Sequence, residues 1–526
     1  MRSNFTPAEE IPKNPFAVID IGSTSVRMVI AQRTDEGKVQ ILESLHQAVS
    51  LGRDTFTIGR IEKDSIEECV SALRTFKTIL DEYQIRDFKN VRTVATSAVR
   101  EAVNRDIFLD RLFIATGFYV ETIDEADVNS FIYLSIQEHL LTHAGLFRNN
   151  TFVMEVGGGS TQFLLLKKGF VSFSNAFRFG SFRIHEMLEH SRAPDTHFRS
   201  IMENQIQNML DQIFEKVVAD GAHTLILLGG DARFAAQHIH PEWEKTGITD
   251  ISVSALEKLT EEVLSCSADD LVRKHQLTYP DAESLGPALL TYVKLARKIR
   301  VKKISVTSNT VREGVLREMC VRDIWTDKFK NQIIHTAFEL GKKFRFDPLH
   351  AENAVAVSTK IFNAMKTEHK LGQHYELILT VAAILHEIGH FISNTSHHKH
   401  SMYLIQHSEI FGFNAEDILI TALVARYHRR ASPSMNHEEY SRLDHEERIV
   451  VSKLAAILRV ADALARRHGR ILAGIDARIE ENALILTAEN FEDMTLEQVA
   501  LQDKAVLFEQ IYGMPVYLRR KNRIEV

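Results

Sequence analysis

The sequence is poor in cysteine: its 526 residues include three, Cys69, Cys266 and Cys320. They lie far apart and form no CxxC pair, so their spacing supports neither a disulfide framework nor a zinc ribbon. We therefore expect buried, reduced thiols.

Long hydrophobic runs and an excess of positive charge are also absent. No uninterrupted apolar run approaches the roughly 18 residues of a membrane-spanning helix, and the N-terminal MRSNFTPAEEIPKNPF has no apolar core of secretory type. These features predict a cytoplasmic protein without a membrane span. The net charge of -7 argues against broad electrostatic binding of DNA or of an anionic membrane.

What is present is the composition of an ordinary globular protein, with 44% hydrophobic and 25% charged residues. At roughly 150 residues per domain, this length predicts three or four domains. Up to about residue 320, strand-like and helix-like segments alternate, which indicates an α/β class. Beyond that point long helical stretches rich in histidine follow, and the last segments alternate like short strands around a helix.

Two similar segments rich in glycine, serine and threonine interrupt apolar runs. FAVIDIGSTSVRMVIAQ predicts a strand, a turn and a second strand, and TFVMEVGGGSTQFLLLKKG repeats that pattern. We interpret the pair as an approximate internal duplication that gives two lobes facing a cleft. VRTVATSAV is predicted as a further strand, EADVNSFIYLSIQEHLL as a helix crossing between the halves, and TLILLGGDARFAA as a strand followed by a helix.

The two turns have the chemistry of a phosphate site. Backbone without bulky Cβ atoms can approach a phosphate closely and direct several N–H donors at it. Asp20 and Glu155 come just before the two turns, where a carboxylate can hold a divalent cation beside the phosphate. A single Gly-Ser-Thr turn is usually just a hairpin connection, so the matched pair carries the prediction of a two-sided phosphate clamp.

Several linked motifs resemble one family. DIGSTSVRMVI, ATSAVREAVN, DEADV, EVGGGSTQFLLL, GSFRIHE, LLGGDARFAA and VREGVL occur in the order, and at about the separations, of the exopolyphosphatase and guanosine pentaphosphate phosphohydrolase (Ppx/GppA) family. The resemblance covers nearly the whole chain. It implies an α/β two-lobed actin-like fold of the ribonuclease H-like, sugar kinase/Hsp70/actin superfamily, then an all-α HD-like domain and a small α/β C-terminal domain. The boundaries we assign are 1–136 for the first lobe, 137–322 for the second lobe, 323–470 for the HD-like domain and 471–526 for the C-terminal domain.

The resemblance also implies roles for individual residues. Glu125 in DEADV matches the family's catalytic carboxylate, a general base for the attacking water, and Arg100 matches its phosphate-contacting arginine. Asp20 and Glu155 would hold Mg²⁺ in the cleft. The phosphate-binding residues would be Gly22, Ser23, Thr24, Arg100, Gly157, Gly158, Gly159, Ser160 and Thr161.

The chain departs from the family pattern at several positions. Glu155 and Gln162 stand where Asp and Glu are usual, Thr24 replaces a common Asn, and Thr307-Ser308 replaces a Ser-Asp pair expected near the phosphate. Gln162 cannot take a proton at neutral pH and is a weaker metal ligand than a carboxylate. Because two acidic positions are lost, the alternative of a non-catalytic polyphosphate or guanosine polyphosphate sensor stays open.

The helical region contains a second candidate site. His386 and His390, four residues apart, are predicted on one face of a helix, and the order of His350, the His386-Glu387 doublet and Asp462 resembles the HD phosphohydrolase superfamily. His350, His386, Glu387 and Asp462 would bind a second divalent metal, with His390 and His400 as phosphate or outer groups. An inert scaffold is the alternative.

The function predicted from these features is a hydrolase that releases terminal phosphate from inorganic polyphosphate, with guanosine pentaphosphate as a further candidate substrate. The competing functions are a kinase on the same two-lobed architecture, the non-catalytic sensor, and a metal-dependent phosphohydrolase in the HD-like domain. The family resemblance further implies a homodimer.

Overall fold

The computed structural model describes most of the chain in two compact units, Met1–Ile324 and Trp325–Val526. The described residues are 15–34, 39–142, 149–190, 195–217, 221, 223–243, 247–320, 326–429, 431–465, 475–488 and 494–520. Within these ranges, no helix is long and apolar enough to cross a membrane.

The first unit begins with a five-stranded sheet in the order β3-β2-β1-β4-β5. β1 is antiparallel to β2 and parallel to β4. The strands are β1 Phe16–Ile21, β2 Ser25–Arg33, β3 Val39–Ala48, β4 Val91–Ala95 and β5 Val120–Thr122. The helices of this lobe are α1 Leu51–Ile58, α2 Lys63–Glu82, α3 Ser97–Glu101, α4 Arg105–Thr116 and α5 Glu125–Thr142, with a 3-10 helix at Phe88–Asn90.

A six-stranded sheet in the order β10-β11-β9-β6-β7-β8 forms the second lobe. Its strands are β6 Asn150–Val156, β7 Thr161–Lys167, β8 Phe170–Phe177, β9 His223–Leu228, β10 Ile248–Ser252 and β11 Lys303–Thr307. Its helices are α6 Ser181–His190, α7 Asp195–Lys216, α8 Gly230–Ile239, α9 Val253–Leu264, α10 Ala268–His275, α11 Tyr279–Lys298 and α12 Val311–Cys320. Each sheet has its own apolar core.

The two sheets repeat one arrangement, as the predicted duplication requires. β1 and β2 form an antiparallel hairpin in which Asp20 faces Arg27, and β6 and β7 form one in which Glu155 faces Gln162. The same hydrogen bond closes both turns: Gly22 N donates to the Ser25 carbonyl and Gly157 N to the Ser160 carbonyl, each at 2.9 Å. The prediction of a two-lobed α/β fold is confirmed.

One predicted strand is too long. VRTVATSAV was expected to be extended throughout, but β4 ends at Ala95 and α3 begins at Ser97. Its parallel partner β1 ends at Ile21, which pairs with Ala95, so the next residues have no neighbouring strand to pair with. Thr96 N donates to the Ile21 carbonyl at 3.2 Å, and the chain then turns into the helix that carries Arg100.

The second unit is mainly helical and ends with a three-stranded sheet in the order β12-β13-β14. The helices are α13 Asp327–Lys343, α14 Pro348–Ala364, α15 Lys366–His369, α16 Gln373–Leu385, α17 His397–Gln406, α18 Ala415–Arg426, α19 Glu438–Ser441, α20 His445–Ala465, α21 Thr495–Lys504 and α22 Val506–Tyr512, with a 3-10 helix at Ile388–Phe391. The strands are β12 Ile475–Glu480, β13 Ala483–Ala488 and β14 Val516–Arg520. Helix α14 packs on α16 and α20, and α18 packs on α16, α20 and α17.

The cysteine prediction holds in part. Cys69 is buried, whereas Cys266 is only half-buried at the end of α9, and the side chain of Cys320 lies outside the described residues. Burial raises the pKa of the Cys69 thiol to about 12, so it is protonated at neutral pH.

Candidate functional site

A cavity of about 260 Å³ lies between the two glycine hairpins of the first unit. Both lobes line it, and the residues predicted from sequence that do so are Asp20, Gly22, Ser23, Thr24, Arg100, Glu155, Gly157, Gly158, Gly159 and Ser160. Thr161 is different: it is fully buried at the start of β7, and its hydroxyl donates to the Phe179 carbonyl. The Thr161 hydroxyl is therefore used within the lobe, and the phosphate role of Thr161 stays a prediction.

Gly159 allows the two lobes to approach each other at this cavity. A Cβ at this position would lie 2.3 Å from Ser97 Oγ and 2.4 Å from the Phe56 ring, so Ser97, Phe56 or the loop would have to shift to admit one. Ser97 Oγ is in turn 3.5 Å from Ser23 Oγ in the first hairpin. Two hydroxyls from separate segments thus meet beside the second glycine loop, where a phosphate would lie.

Gln162, the main departure from the family pattern, has a defined partner in the second loop. Its Nε2 donates to Ser160 Oγ at 3.0 Å, and both side chains are buried. Because the serine oxygen accepts this bond, its own proton is available to donate elsewhere. Gln162 therefore orients a hydroxyl of the phosphate loop instead of supplying a charge.

Arg100 and Glu125 form an ion pair in the first lobe. Arg100 Nη2 is 3.2 Å from Glu125 Oε1, and its Nη1 donates to the Ile123 carbonyl at 2.8 Å. Arg100 lines the cavity, but Glu125, with 39% of its side chain exposed, is outside the set of lining residues. The structure thus brings the predicted base to the edge of the cavity and places the arginine between it and the loops.

The cavity is also lined by two arginines, Arg27 and Arg312, to which the sequence had suggested no role. Arg312, near the start of α12, is buried and has Nη1 3.6 Å from Asp20 Oδ2, while Arg27 faces Asp20 across the first hairpin. The Nε of Arg312 is buried without a hydrogen-bond partner in the described part of the chain. Arg312 lies within the VREGVL motif, and this motif could have indicated its role. Arg27 lies in a predicted strand, and no feature of the sequence distinguishes it from a surface arginine.

Three carboxyl groups that line the cavity, those of Asp20, Glu155 and Asp231, have raised pKa values. Burial raises the pKa of Glu155 to about 7, and burial together with the charge of Asp281 raises the pKa of Asp231 to about 7. Burial also raises the pKa of Asp20, against the opposing effect of Arg312 and Arg27. Glu155 Oε2 is buried with no hydrogen-bond partner among the described residues. An unpaired buried carboxylate oxygen fits a hard divalent cation such as Mg²⁺.

Thr307 and Ser308 do not take part in this site. Thr307 is fully buried, and its Oγ1 accepts from Asn309 N at 3.1 Å, while Ser308 Oγ donates to the Gly247 carbonyl at 3.2 Å. Neither residue lines the cavity. Both side chains instead shape the loop between β11 and α12.

The second unit brings together the four predicted metal ligands. His350 Nε2 is 3.1 Å from His386 Nε2, 3.4 Å from Glu387 Oε2 and 3.4 Å from Asp462 Oδ1. Burial lowers the pKa of His386 to about 4, which keeps its imidazole neutral. Lys504, at the end of α21, contacts the other oxygen of Asp462.

A further group in the same region was missed. His397 Nε2 lies 3.2 Å from His428 Nε2, and both imidazoles are buried. Together with Glu387 they place one ligand atom each within 4.8 Å of one another. No sequence signal joins them, since His397 begins α17 and His428 follows α18.

The predicted helix through His386 and His390 is wrong. α16 ends at Leu385, and His390 lies on a separate 3-10 helix. A Cβ on Gly389 would be 2.1 Å from the His397 carbonyl oxygen, so the chain turns here to let α17 approach. His390 and His400 belong to neither ligand group, although the His390 ring stacks on His397 with 3.8 Å between centroids.

Comparison with known proteins identifies a matching family over most of the chain. The family model of the Ppx/GppA phosphatase family matches residues 29–322, and that of Ppx/GppA phosphatase domain III matches residues 334–510. A protein of Pseudoalteromonas atlantica named guanosine-5'-triphosphate,3'-diphosphate pyrophosphatase is 25% identical over 492 residues, which cover 90% of each chain. A protein of the same name from Photobacterium profundum is 23% identical and covers 91% of this chain and 93% of its own.

A solved structure supports the fold. The crystal structure of an exopolyphosphatase from Cytophaga hutchinsonii has a TM-score of 0.52 and 22% identity, and the match covers 58% of this chain and 98% of that chain. The first family model alone spans more than half of the sequence, including the second glycine loop, Arg100, Glu125 and Arg312. The chain therefore belongs to the Ppx/GppA phosphatase family.

Proposed function

We propose that the protein hydrolyses the terminal phosphoanhydride of inorganic polyphosphate or of guanosine pentaphosphate in the cleft between the two lobes. The observation that carries this proposal is the paired hairpin, in which two matched turns, each preceded by an acidic residue, line one cavity together with three arginines. The names of the relatives, guanosine pentaphosphate pyrophosphatase and exopolyphosphatase, support the same substrate class.

In this proposal the phosphate chain lies between the hydroxyls of Ser23, Ser97 and Ser160, and the Arg100 guanidinium contacts the terminal group. Gln162 fixes the Ser160 hydroxyl as a donor. Arg100 also holds the Glu125 carboxylate, which would accept a proton from the attacking water at the edge of the cavity.

Asp20 and Glu155 would hold Mg²⁺, which when bound neutralises charge on the transferring phosphoryl group. Asp20 shares its charge with Arg312, so Glu155, whose Oε2 is buried and unpaired in the described structure, is the stronger of the two candidate ligands. The arginines would help to keep the polyanion in place before hydrolysis.

Phosphate release from polyphosphate, guanosine pentaphosphate and ATP, measured side by side with Mg²⁺, tests this proposal. We expect Glu125→Gln to lower the rate by about 10² to 10⁴-fold, the usual contribution of a general base. Glu67→Gln, at an exposed glutamate paired with Arg111, is the matched control and should be unchanged. Equal release by wild type and Glu125→Gln would remove the catalytic assignment. Transfer of the ATP phosphate to a sugar would favour the kinase.

The non-catalytic sensor is the second candidate, and Gln162 favours it because the loop lacks one carboxylate. Binding of polyphosphate without phosphate release from any of the three substrates would support it. The homodimer implied by the resemblance and the four domain boundaries stay predictions. Light scattering on the purified protein would test the former.

We propose that His350, His386, Glu387 and Asp462 bind a divalent metal in the helical unit. Their ligand atoms lie within 4.8 Å of one another. The Nδ1 atoms of both histidines face backbone carbonyls, His350 that of Ala465 at 3.1 Å and His386 that of Ala383 at 2.8 Å. This arrangement leaves Nε2 of each ring as the metal-binding atom.

A further inference from the structure

The backbone carbonyls of the second glycine loop are held by the residues that begin α6. The Gly157 carbonyl accepts from Ser181 N, and the Gly158 carbonyl accepts from Arg183 N, each at 3.0 Å. The Gly159 carbonyl accepts from Arg183 Nε at 3.1 Å. Arg183 therefore binds two of the three carbonyls, one through its backbone and the other through its side chain.

These bonds determine the direction of the loop's donors. In a trans peptide the C=O and N–H bonds point in opposite directions. Because the three carbonyls face α6, the N–H groups that follow them, those of Gly158, Gly159 and Ser160, point to the other side. In the described chain none of these three donates to a backbone carbonyl, and all three residues line the cavity. They supply the converging N–H donors that a phosphate needs.

The Arg183 guanidinium extends from this loop to the first lobe. Its Nη2 lies 2.9 and 3.0 Å from the two carboxylate oxygens of Glu101, and the group lies over the Phe56 ring, 4.1 Å from the ring centroid. Glu101 ends α3 and directly follows Arg100, the predicted phosphate contact. The side chains of Arg183 and Glu101 are only 26% and 16% exposed, so solvent screens their attraction less than that of a surface pair.

We propose that Arg183 is a positioning residue of the phosphate site. It orients the N–H donors of the second glycine loop and, through Glu101, fixes their position relative to Arg100 on the first lobe. Arg183 is not among the residues that line the cavity, so it acts through the loop and not on the phosphate itself. The inference rests on the proposed function in that it takes the cleft as the phosphate site, but it does not require hydrolysis there.

Other contacts hold α6 in place independently of Arg183. A Cβ on Gly180, just before α6, would lie 2.1 Å from the Gly158 carbonyl oxygen, so the close approach of the two segments depends on this glycine. Further along α6, Glu186 accepts from Thr57 Oγ1 at 3.1 Å and lies 3.7 Å from Arg53 Nε, both on α1 of the first lobe. Replacement of Arg183 should therefore release the loop without separating α6 from the first lobe.

Two measurements on the full-length protein test the proposal: phosphate release from inorganic tripolyphosphate with Mg²⁺, and calorimetric binding of tripolyphosphate in EDTA. Arg183→Met keeps a side chain that can pack on Phe56 but removes every guanidinium donor. We expect kcat/KM to fall by about 100-fold, the cost of misplacing groups by about 1 Å. Binding in EDTA should weaken by about tenfold, roughly the contribution of one hydrogen bond.

A double-mutant cycle with Glu101 tests the link to the first lobe. Glu101→Gln should lower kcat/KM by about tenfold, and the double variant should be no worse than Arg183→Met alone, because Glu101 acts only through Arg183. Arg183→Lys should recover about tenfold of the loss, since one ammonium can reach only one of the two acceptors. The control Arg199→Met, at an exposed arginine in a bidentate pair with Glu261, should leave release and binding unchanged.

Wild-type release and binding in Arg183→Met would overturn the positioning role, and losses that multiply in the double variant would overturn the link through Glu101. If circular dichroism shows that Arg183→Met does not fold, Arg183→Lys and its double variant with Glu101→Gln decide by the same criteria. A wild-type protein that binds tripolyphosphate without releasing phosphate would contradict the hydrolase, and the binding data alone would then decide on Arg183. The absence of both binding and release in wild type would overturn both proposals.

Discussion

Gln162 donates a hydrogen bond from Nε2 to Ser160 Oγ at 3.0 Å within the second glycine loop. Its register partner on the neighbouring strand is Glu155, whose pKa burial raises to about 7. The equivalent pair in the first lobe is Asp20 and Arg27. Each hairpin therefore presents one acidic side chain, and neither presents two.

Gln162→Glu should lower the Mg²⁺ concentration needed for half-maximal phosphate release by about tenfold. An added carboxylate near Glu155 attracts a divalent cation by more than the ~1.4 kcal/mol that a tenfold change requires, even at an effective dielectric near 20. A magnesium titration of the release rate measures the effect. Gln162→Met separates the added charge from the lost hydrogen bond with Ser160. An unchanged Mg²⁺ requirement in Gln162→Glu would argue against a cation beside Glu155.

Much of this cleft could be predicted from sequence because the residues that form each hairpin are close together along the chain. Alternating apolar residues around DIGSTS and EVGGGSTQ specify hairpins within about 15 residues, and the second lobe repeats the first. Arg27 and Arg312 could not be assigned in the same way. An arginine in a strand or at a helix start is usually solvated. The position of Arg27 and Arg312 in the cavity follows only from the tertiary packing of the two sheets.

The histidine cluster could be predicted only in part, because some of its contacts depend on tertiary packing. His350, His386, Glu387 and Asp462 follow an order that resembles a known superfamily, and the structure brings them together. The end of α16 was not visible because apolar residues continue at helical spacing through Ile388 and Phe391. The break comes from the approach of α17 to Gly389, a tertiary contact with no local signature.

Gly159→Ala should reduce kcat/KM for phosphate release by about 100-fold. The new methyl group would overlap Ser97 Oγ and the Phe56 ring, so Ser97, Phe56 or the loop must shift at the cavity, and misplacement by about 1 Å costs about this much. Steady-state kinetics with polyphosphate provide the measurement. Gly372→Ala is the control, because its methyl group would meet nothing within 4 Å in the described structure. Wild-type kinetics in Gly159→Ala would contradict the close approach of the lobes.

Glu155→Gln should make the metal-free protein less sensitive to pH. In wild type the folded-state pKa of about 7 exceeds the ordinary value of 4.5, so the folded state retains a proton that the unfolded chain releases. Wild-type stability therefore falls as pH rises from about 4.5 to about 7 and is level above that range. The free energy of unfolding of the variant relative to wild type should rise by about 3 kcal/mol across this window.

Urea unfolding in EDTA at a series of pH values would measure this difference. Glu67→Gln, at an exposed glutamate bonded to Arg111, should show no such rise between pH 4.5 and 7, since the pKa of Glu67 is lowered by that hydrogen bond. Asp231, whose pKa is also raised to about 7, is present in both proteins and cancels from the comparison. A flat difference for Glu155→Gln would mean that Glu155 is solvated in the cleft.

Lys504→Met should destabilise the metal-free protein and increase the stabilisation that metal provides. Lys504 contacts Asp462, which is fully buried, and burial lowers the pKa of Lys504 to about 7. Below that pH the lysine is charged, and its removal leaves the buried carboxylate uncompensated at a cost of up to about 3–5 kcal/mol. A divalent cation at His350 and His386 would replace the lost positive charge at Asp462 and would no longer compete with the ammonium. The Zn²⁺-induced rise in Tm should therefore be larger in Lys504→Met than in wild type. The control is Lys453→Met, at a lysine that donates to the His369 carbonyl, and it should leave that rise unchanged. Equal Zn²⁺-induced shifts in wild type and Lys504→Met would show that Asp462 does not bind the metal.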